Sequence, residues 1–161
     1  ATVTGEKNPS DAGRPCDPEP LESSGKPSRA DAKARAAELG RRGEAEAARY
    51  VESLGWHILG KNLRTRGSEI DLAGRAGNEL VFVEVRVRSL GRMQPPETTV
   101  GPQKLGCLTR GGRVLAAQWK WEGPWRIDLV AFTVDRNGVW CREHLEDITA
   151  GGWDPWGSCR G

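Results

Sequence analysis

From Val81 to Arg88, valines hold every odd position, and Phe82, Glu84, Arg86 and Arg88 hold the even ones. Strand side chains alternate between faces, so this spacing predicts a strand with one valine face and an opposite face of one aromatic and three charges. Upstream, Gly67-Ser68-Glu69-Ile70-Asp71-Leu72 is a second extended stretch. Arg75-Ala76-Gly77-Asn78 between them has the turn chemistry to join the two as a hairpin. Nearer the start, Ser28 with Asp31 three residues on predicts a helix N-terminus. Ala36, Leu39, Gly40, Gly43, Ala47, Tyr50, Val51 and Leu54 recur at helical spacing up to Gly55, which ends the helix. Gly40 and Gly43 weaken it; they either divide it in two or let it lie close on a sheet.

Trp56 to Leu59 predicts a first strand, and Asn62-Leu63-Arg64-Thr65-Arg66 a lead into the hairpin. Residues 89–99, with Pro95-Pro96, predict a loop. Pro102 suits the first turn of a second helix. Its Leu105, Leu108, Gly112, Leu115 and Trp119 keep one apolar side, and Gly111-Gly112 make it fragile. Arg126 to Val134 reads as a further strand, Arg136-Asn137-Gly138 as a turn, and Val139-Trp140-Cys141 as the return. This order gives an α/β chain, a mixed β-sheet flanked by helices.

Composition changes that picture at the ends. Residues 1–27 hold no aromatic residue and many Pro, Gly, Ser, Asp and Glu, too little apolar surface to offset chain entropy. They predict a disordered N-terminal tail, followed by one domain over 28–150 and an irregular C-terminal tail over 151–161. The chain of 161 residues has no apolar run of membrane-spanning length and no segment that reads as a secretion signal. The expectation is a cytoplasmic protein without a membrane partner. Cys16, Cys107, Cys141 and Cys159 form no Cys-x-x-Cys pair. Cys141 with His144 and Cys159 is a conceivable zinc set, but free thiols and a surface histidine are the favoured reading. His57, in an apolar stretch, reads as structural. Trp119, Trp121 and Trp125 read as closing the edge of a core rather than as a platform for bases.

Charge supplies the candidate chemistry. A charged row on a valine-rich strand is costly to bury unless it is paired or binds an ion. If the hairpin closes, Asp71 comes alongside Glu84, and two carboxylates that close ask for a cation. Glu44 shares its helix face with Ala47, Ala48 and Val51 and points inward; it is a candidate for the site, or a boundary glutamate paired with an arginine. Net charge is only +2, yet residues 61–113 carry ten basic and five acidic side chains. Three of those acids are Asp71, Glu84 and their neighbour Glu69. Cations around an acidic centre suit a polyanionic partner.

An Asp, a spacer and then Glu-x-Arg on the next strand resembles the PD-(D/E)xK, or restriction-endonuclease-like, nuclease superfamily. Within it, the chain resembles the YraN-like family of uncharacterised bacterial proteins. The matching pieces are Leu39-Gly40-Arg41-Arg42-Gly43-Glu44, Asn62 to Arg66, Glu69-Ile70-Asp71-Leu72, Val81 to Val85, Pro102-Gln103-Lys104 and Arg126 to Val130. They cover roughly residues 37 to 135. The resemblance implies a restriction-endonuclease-like fold and hydrolysis of phosphodiester bonds in DNA, with branched or recombination-type structures as one substrate class. It implies Glu44, Asp71, Glu84 and Arg86 as catalytic residues. Mg²⁺ (or Mn²⁺) would be held by Asp71, Glu84 and the Val85 carbonyl. Arg64, Arg66, Arg88 and Lys104 are candidates to bind nucleic acid.

Two positions depart from the pattern. Ser68 stands where the closer family has glycine, and Arg86 where the superfamily has its lysine. A guanidinium supplies charge and hydrogen bonds but cannot act as a base. Lys104, in the first turn of the following helix, is the candidate substitute. Three readings remain open: a metal-dependent nuclease, an inactive relative that binds nucleic acid, and a structural domain whose acids pair with Arg86 and Arg88. Pairing with a second copy is not decided by the sequence.

Overall fold

In a computed structural model, which describes residues 28–89 and 100–149, Ser28 caps the first helix as the sequence predicts. Its hydroxyl accepts the Asp31 N–H, and the Asp31 carboxylate accepts the Ser28 N–H, a closed capping box. Helix α1 (Arg29–Ser53) runs unbroken through both glycines. Of the two readings of that pair, close packing is the one seen at Gly43, where an added Cβ would collide with a Val87 methyl. Residues 29–38 are exposed, so the first turns of α1 project beyond the core. Gly55, at φ +84°, takes the left-handed position that closes the helix.

Five strands follow in a sheet whose spatial order equals their chain order: β1 (His57–Thr65), β2 (Ser68–Ala76), β3 (Glu79–Ser89), β4 (Trp125–Val134) and β5 (Trp140–Leu145). Helix α2 (Pro102–Gln118) lies between β3 and β4 in the chain, and those two strands are parallel; the other neighbours are antiparallel. The mixed sheet and its flanking helices are those read from the sequence.

The alternation along β3 sorts two cores. Val81 and Val83 pack with Ala47, Ala48 and Val51 of α1. Phe82 packs with Leu105, Leu108 and Leu115 of α2. The sheet is thus the middle of three layers. Gly112, which seemed a weak point, brings α2 against the sheet: a Cβ there would lie 2.9 Å from both the Phe82 and Trp125 rings. Trp121 and Trp125 cover the margin of that core, as expected.

Three expectations are corrected. The segment Asn62–Thr65 is not a lead-in; β1 continues through it, because Leu63, Arg64 and Thr65 pair with Ile70, Glu69 and Ser68. As an outer strand with one neighbour, β1 carries polar residues and hides its period. His144 is not a surface residue. Its ring sits between Tyr50 and Trp56, with Nε2 2.8 Å from Asp128 Oδ2 and Nδ1 3.2 Å from the Tyr50 hydroxyl. That engagement leaves it unsuited to a zinc set with Cys141, which is exposed. His57 is exposed at the start of β1, so its apolar neighbours do not draw it into the core. The tails at 1–27 and 151–161, the 90–99 part of the loop, Cys16 and Cys159 lie outside the described residues.

Candidate functional site

The β2–β3 ladder runs from Ala76 opposite Glu79 to Leu72 opposite Val83. One step further, where Asp71 would face Glu84, the pattern changes. The Val85 N–H donates 2.8 Å to Asp71 Oδ2, so a side chain replaces the main chain of β2 as its acceptor. An extended residue sends its N–H and C=O to the same edge, which turns the Val85 carbonyl toward this gap as well. The strands therefore part at the acidic residues.

β2 also changes face there. Ile70 is buried in the α2 core and Leu72 in the α1 core, although residues two apart in a regular strand share a face. Across from Asp71, between the pairs Lys61–Leu72 and Leu63–Ile70, stands Asn62 at φ +49°. Asparagine tolerates this left-handed conformation better than most residues. Its side-chain amide lies in one lining with the Glu44 carboxylate and favours the ionised form. Asn62 belongs to a matched motif but carries no chemistry that sequence reasoning assigns; its signal is an amide amid strand-forming residues.

Asp71, Glu84, Glu44 and Glu69 line one cleft of about 350 Å³ together with Val85, Arg86 and Lys104. Glu84 is 3% exposed. Its Oε1 meets Arg86 Nη2 at 2.9 Å and Lys104 Nζ at 3.5 Å. Its Oε2 is buried without a hydrogen-bond partner, an arrangement that is costly for a carboxylate oxygen. Burial and then the nearby Asp71 push the Glu84 carboxyl up to about 7. Burial likewise raises Asp71, against the Val85 N–H, Lys104 and Arg86, which lower it. Glu44 is raised by burial and by Asp71. Crowded acids of this kind gain from a cation.

The donors fit a hard divalent ion: two carboxylates, one of them with a buried oxygen that nothing hydrogen-bonds, and a main-chain carbonyl on the same gap. Among the described residues no group of three or more His, Cys, Asp or Glu is placed to hold a metal. An ion here would rest on Asp71, Glu84, the Val85 carbonyl and water, the sparse protein coordination that Mg²⁺ accepts.

The expected basic residues divide. Lys104 and Arg86 are in the cleft. Arg64 and Arg66 are exposed at the β1–β2 turn, with Arg64 3.6 Å from Glu69. Arg88 is half-buried on the charged face of β3. Sequence reasoning assigned no role to Asp128, which is fully buried on β4 among Arg126, His144 and the Asp147 N–H. Burial would raise its carboxyl, but these partners outweigh it and hold it below the usual range. This network joins α1, β4 and β5 on the α1 side of the sheet and is structural.

A mixed sheet between helices, with a parallel central pair and acids on two adjoining strands where they part, is the arrangement that the restriction-endonuclease-like resemblance implies. The chain belongs to the uncharacterised protein family UPF0102, whose family model matches residues 43–134, from the middle of α1 to the end of β4. A UPF0102 protein of Anaeromyxobacter dehalogenans is 47% identical over 102 residues, 59% of this chain and 72% of the relative. One from Nitratidesulfovibrio vulgaris is 36% identical over 128 residues, covering 73% of this chain and 94% of the relative. One from Streptomyces griseus is 39% identical over 117 residues, 69% and 95% of the two chains. These names state no activity.

Proposed function

We propose that this protein is a divalent-metal-dependent endonuclease acting on DNA, branched or recombination-type structures included. The observation that carries the reading is the gap between β2 and β3, where Asp71 and Glu84 share a cleft and Glu84 Oε2 is buried without a partner. A bound Mg²⁺ or Mn²⁺ would supply charge neutralisation at the phosphoryl oxygens and a lowered pKa for water. Asp71, Glu84 and the Val85 carbonyl would hold it. Arg86 and Lys104 bring positive charge to the same cleft, which Glu44 also lines. In the hydrolysis, the water oxygen forms a bond to phosphorus as one phosphorus–oxygen ester bond breaks. The departing oxygen takes up a proton, leaving one strand end with a phosphate and the other with a hydroxyl.

A second reading, a relative that binds nucleic acid without cutting, draws on Arg86. Its guanidinium occupies Glu84 Oε1 and competes with an ion for that carboxylate. Titration of Mg²⁺ and Mn²⁺ against a panel of duplex, single-stranded and branched DNA tests both. Cutting that is lost in Asp71→Ala supports the nuclease. Binding with no cutting at any metal concentration supports the second reading, and absence of binding refutes both.

A further inference from the structure

We propose that Lys104 is the catalytic cation that contacts the reacting phosphate, and that Arg86 is a positioning residue that holds Glu84; this rests on the nuclease reading above. The two cations meet the same Glu84 oxygen in different ways. Arg86 approaches it at 2.9 Å from two residues along the same strand, and its Nε is buried without a partner. With one donor at Glu84 and another enclosed in protein, Arg86 is tied to the strand that carries Glu84, although its side chain is 36% exposed at the same cleft. Lys104 arrives from a different layer, in the first turn of α2, with its Nζ 3.5 Å from Glu84 at the outer edge of hydrogen bonding. Its side chain is 38% exposed at the cleft. A compact ammonium with three rotatable donors can leave that long contact for a phosphoryl oxygen while staying beside Glu84.

The setting of Lys104 also argues against a merely structural part. A helix N-terminus carries partial positive charge and favours acids, yet the first turn of α2 has no acidic residue. Its N-cap Gly101 offers no side-chain cap to that turn. Positive charge gathered there, next to a buried carboxylate with one oxygen that nothing hydrogen-bonds, suits an incoming phosphodiester.

The test compares Lys104→Ala and Arg86→Ala with the parent chain, using one DNA duplex. In metal-free binding across a salt series, removing a phosphate contact lowers the slope of log affinity against log salt by about one. Lys104→Ala should show that drop and Arg86→Ala should not. With Mg²⁺, Lys104→Ala should cut roughly a hundredfold more slowly, and Lys104→Arg should recover part of the rate. A Lys104→Ala slope equal to the parent's, while the parent binds and cuts, overturns the assignment and leaves the nuclease reading standing. So does a roughly hundredfold gain in cutting by Arg86→Lys, which would make position 86 the limiting cation. A parent chain that binds no DNA overturns both.

Discussion

Neutralising Glu84 without changing its shape, by Glu84→Gln, should stabilise the fold at alkaline pH and flatten its pH dependence. The Glu84 carboxyl is pushed up to about 7 from an ordinary 4.5, by burial first and Asp71 second. In the unfolded chain it ionises near the ordinary value. Between the two, the folded state holds a proton that the unfolded state has released, so stability falls as pH rises across this window. At about 1.36 kcal/mol per unit, the whole span is worth about 3 kcal/mol, on the order of 10 °C in Tm for a domain of this size. Asp71 and Glu44 are also raised and act in the same direction, so a smaller slope should remain in the variant. Asp128 and Asp31 are lowered; their contributions are lost on acidification, below this window. Urea unfolding of both chains between about pH 5 and pH 8 gives the comparison, and Mg²⁺ should restore stability to the parent alone at the alkaline end. A parent chain whose stability is flat or rising over that range, or a Glu84→Gln chain with an undiminished slope, would refute the account of Glu84 as a strained acid.

Three other outcomes are expected. Asp128→Ala, which takes a buried carboxylate from Arg126, His144 and the Asp147 N–H and leaves Arg126 with Glu79, should cost about 3 kcal/mol in chemical denaturation. Gly112→Ala should cost about 1–3 kcal/mol, measured the same way, because its methyl would press on the Phe82 and Trp125 rings. Asn62→Ala should cost about 1 kcal/mol by urea unfolding, because alanine tolerates the φ of +49° less well.

The strict alternation of Val81 to Arg88 determined, without any coordinates, that β3 has a valine face and a charged face. The Ser28–Asp31 capping pair fixed the helix start, and Gly77-Asn78 fixed the hairpin, because periodicity, caps and tight turns are local properties of the backbone. Local rules also placed Asp71 and Glu84 at facing register positions. They could not show that the strands part there, that Asp71 takes the Val85 N–H, or that Asn62 turns left-handed across from it, since each requires a neighbour fixed by long-range packing. The same holds for β1, whose polar pattern acquires strand identity only from β2, and for His144, which two histidine-to-partner contacts draw inward. Which Glu84 oxygen is paired and which is left bare was settled by α2 folding back over the sheet to bring Lys104 beside Arg86. Chain order puts those two cations eighteen positions apart; only closure of the three layers sets both against one carboxylate.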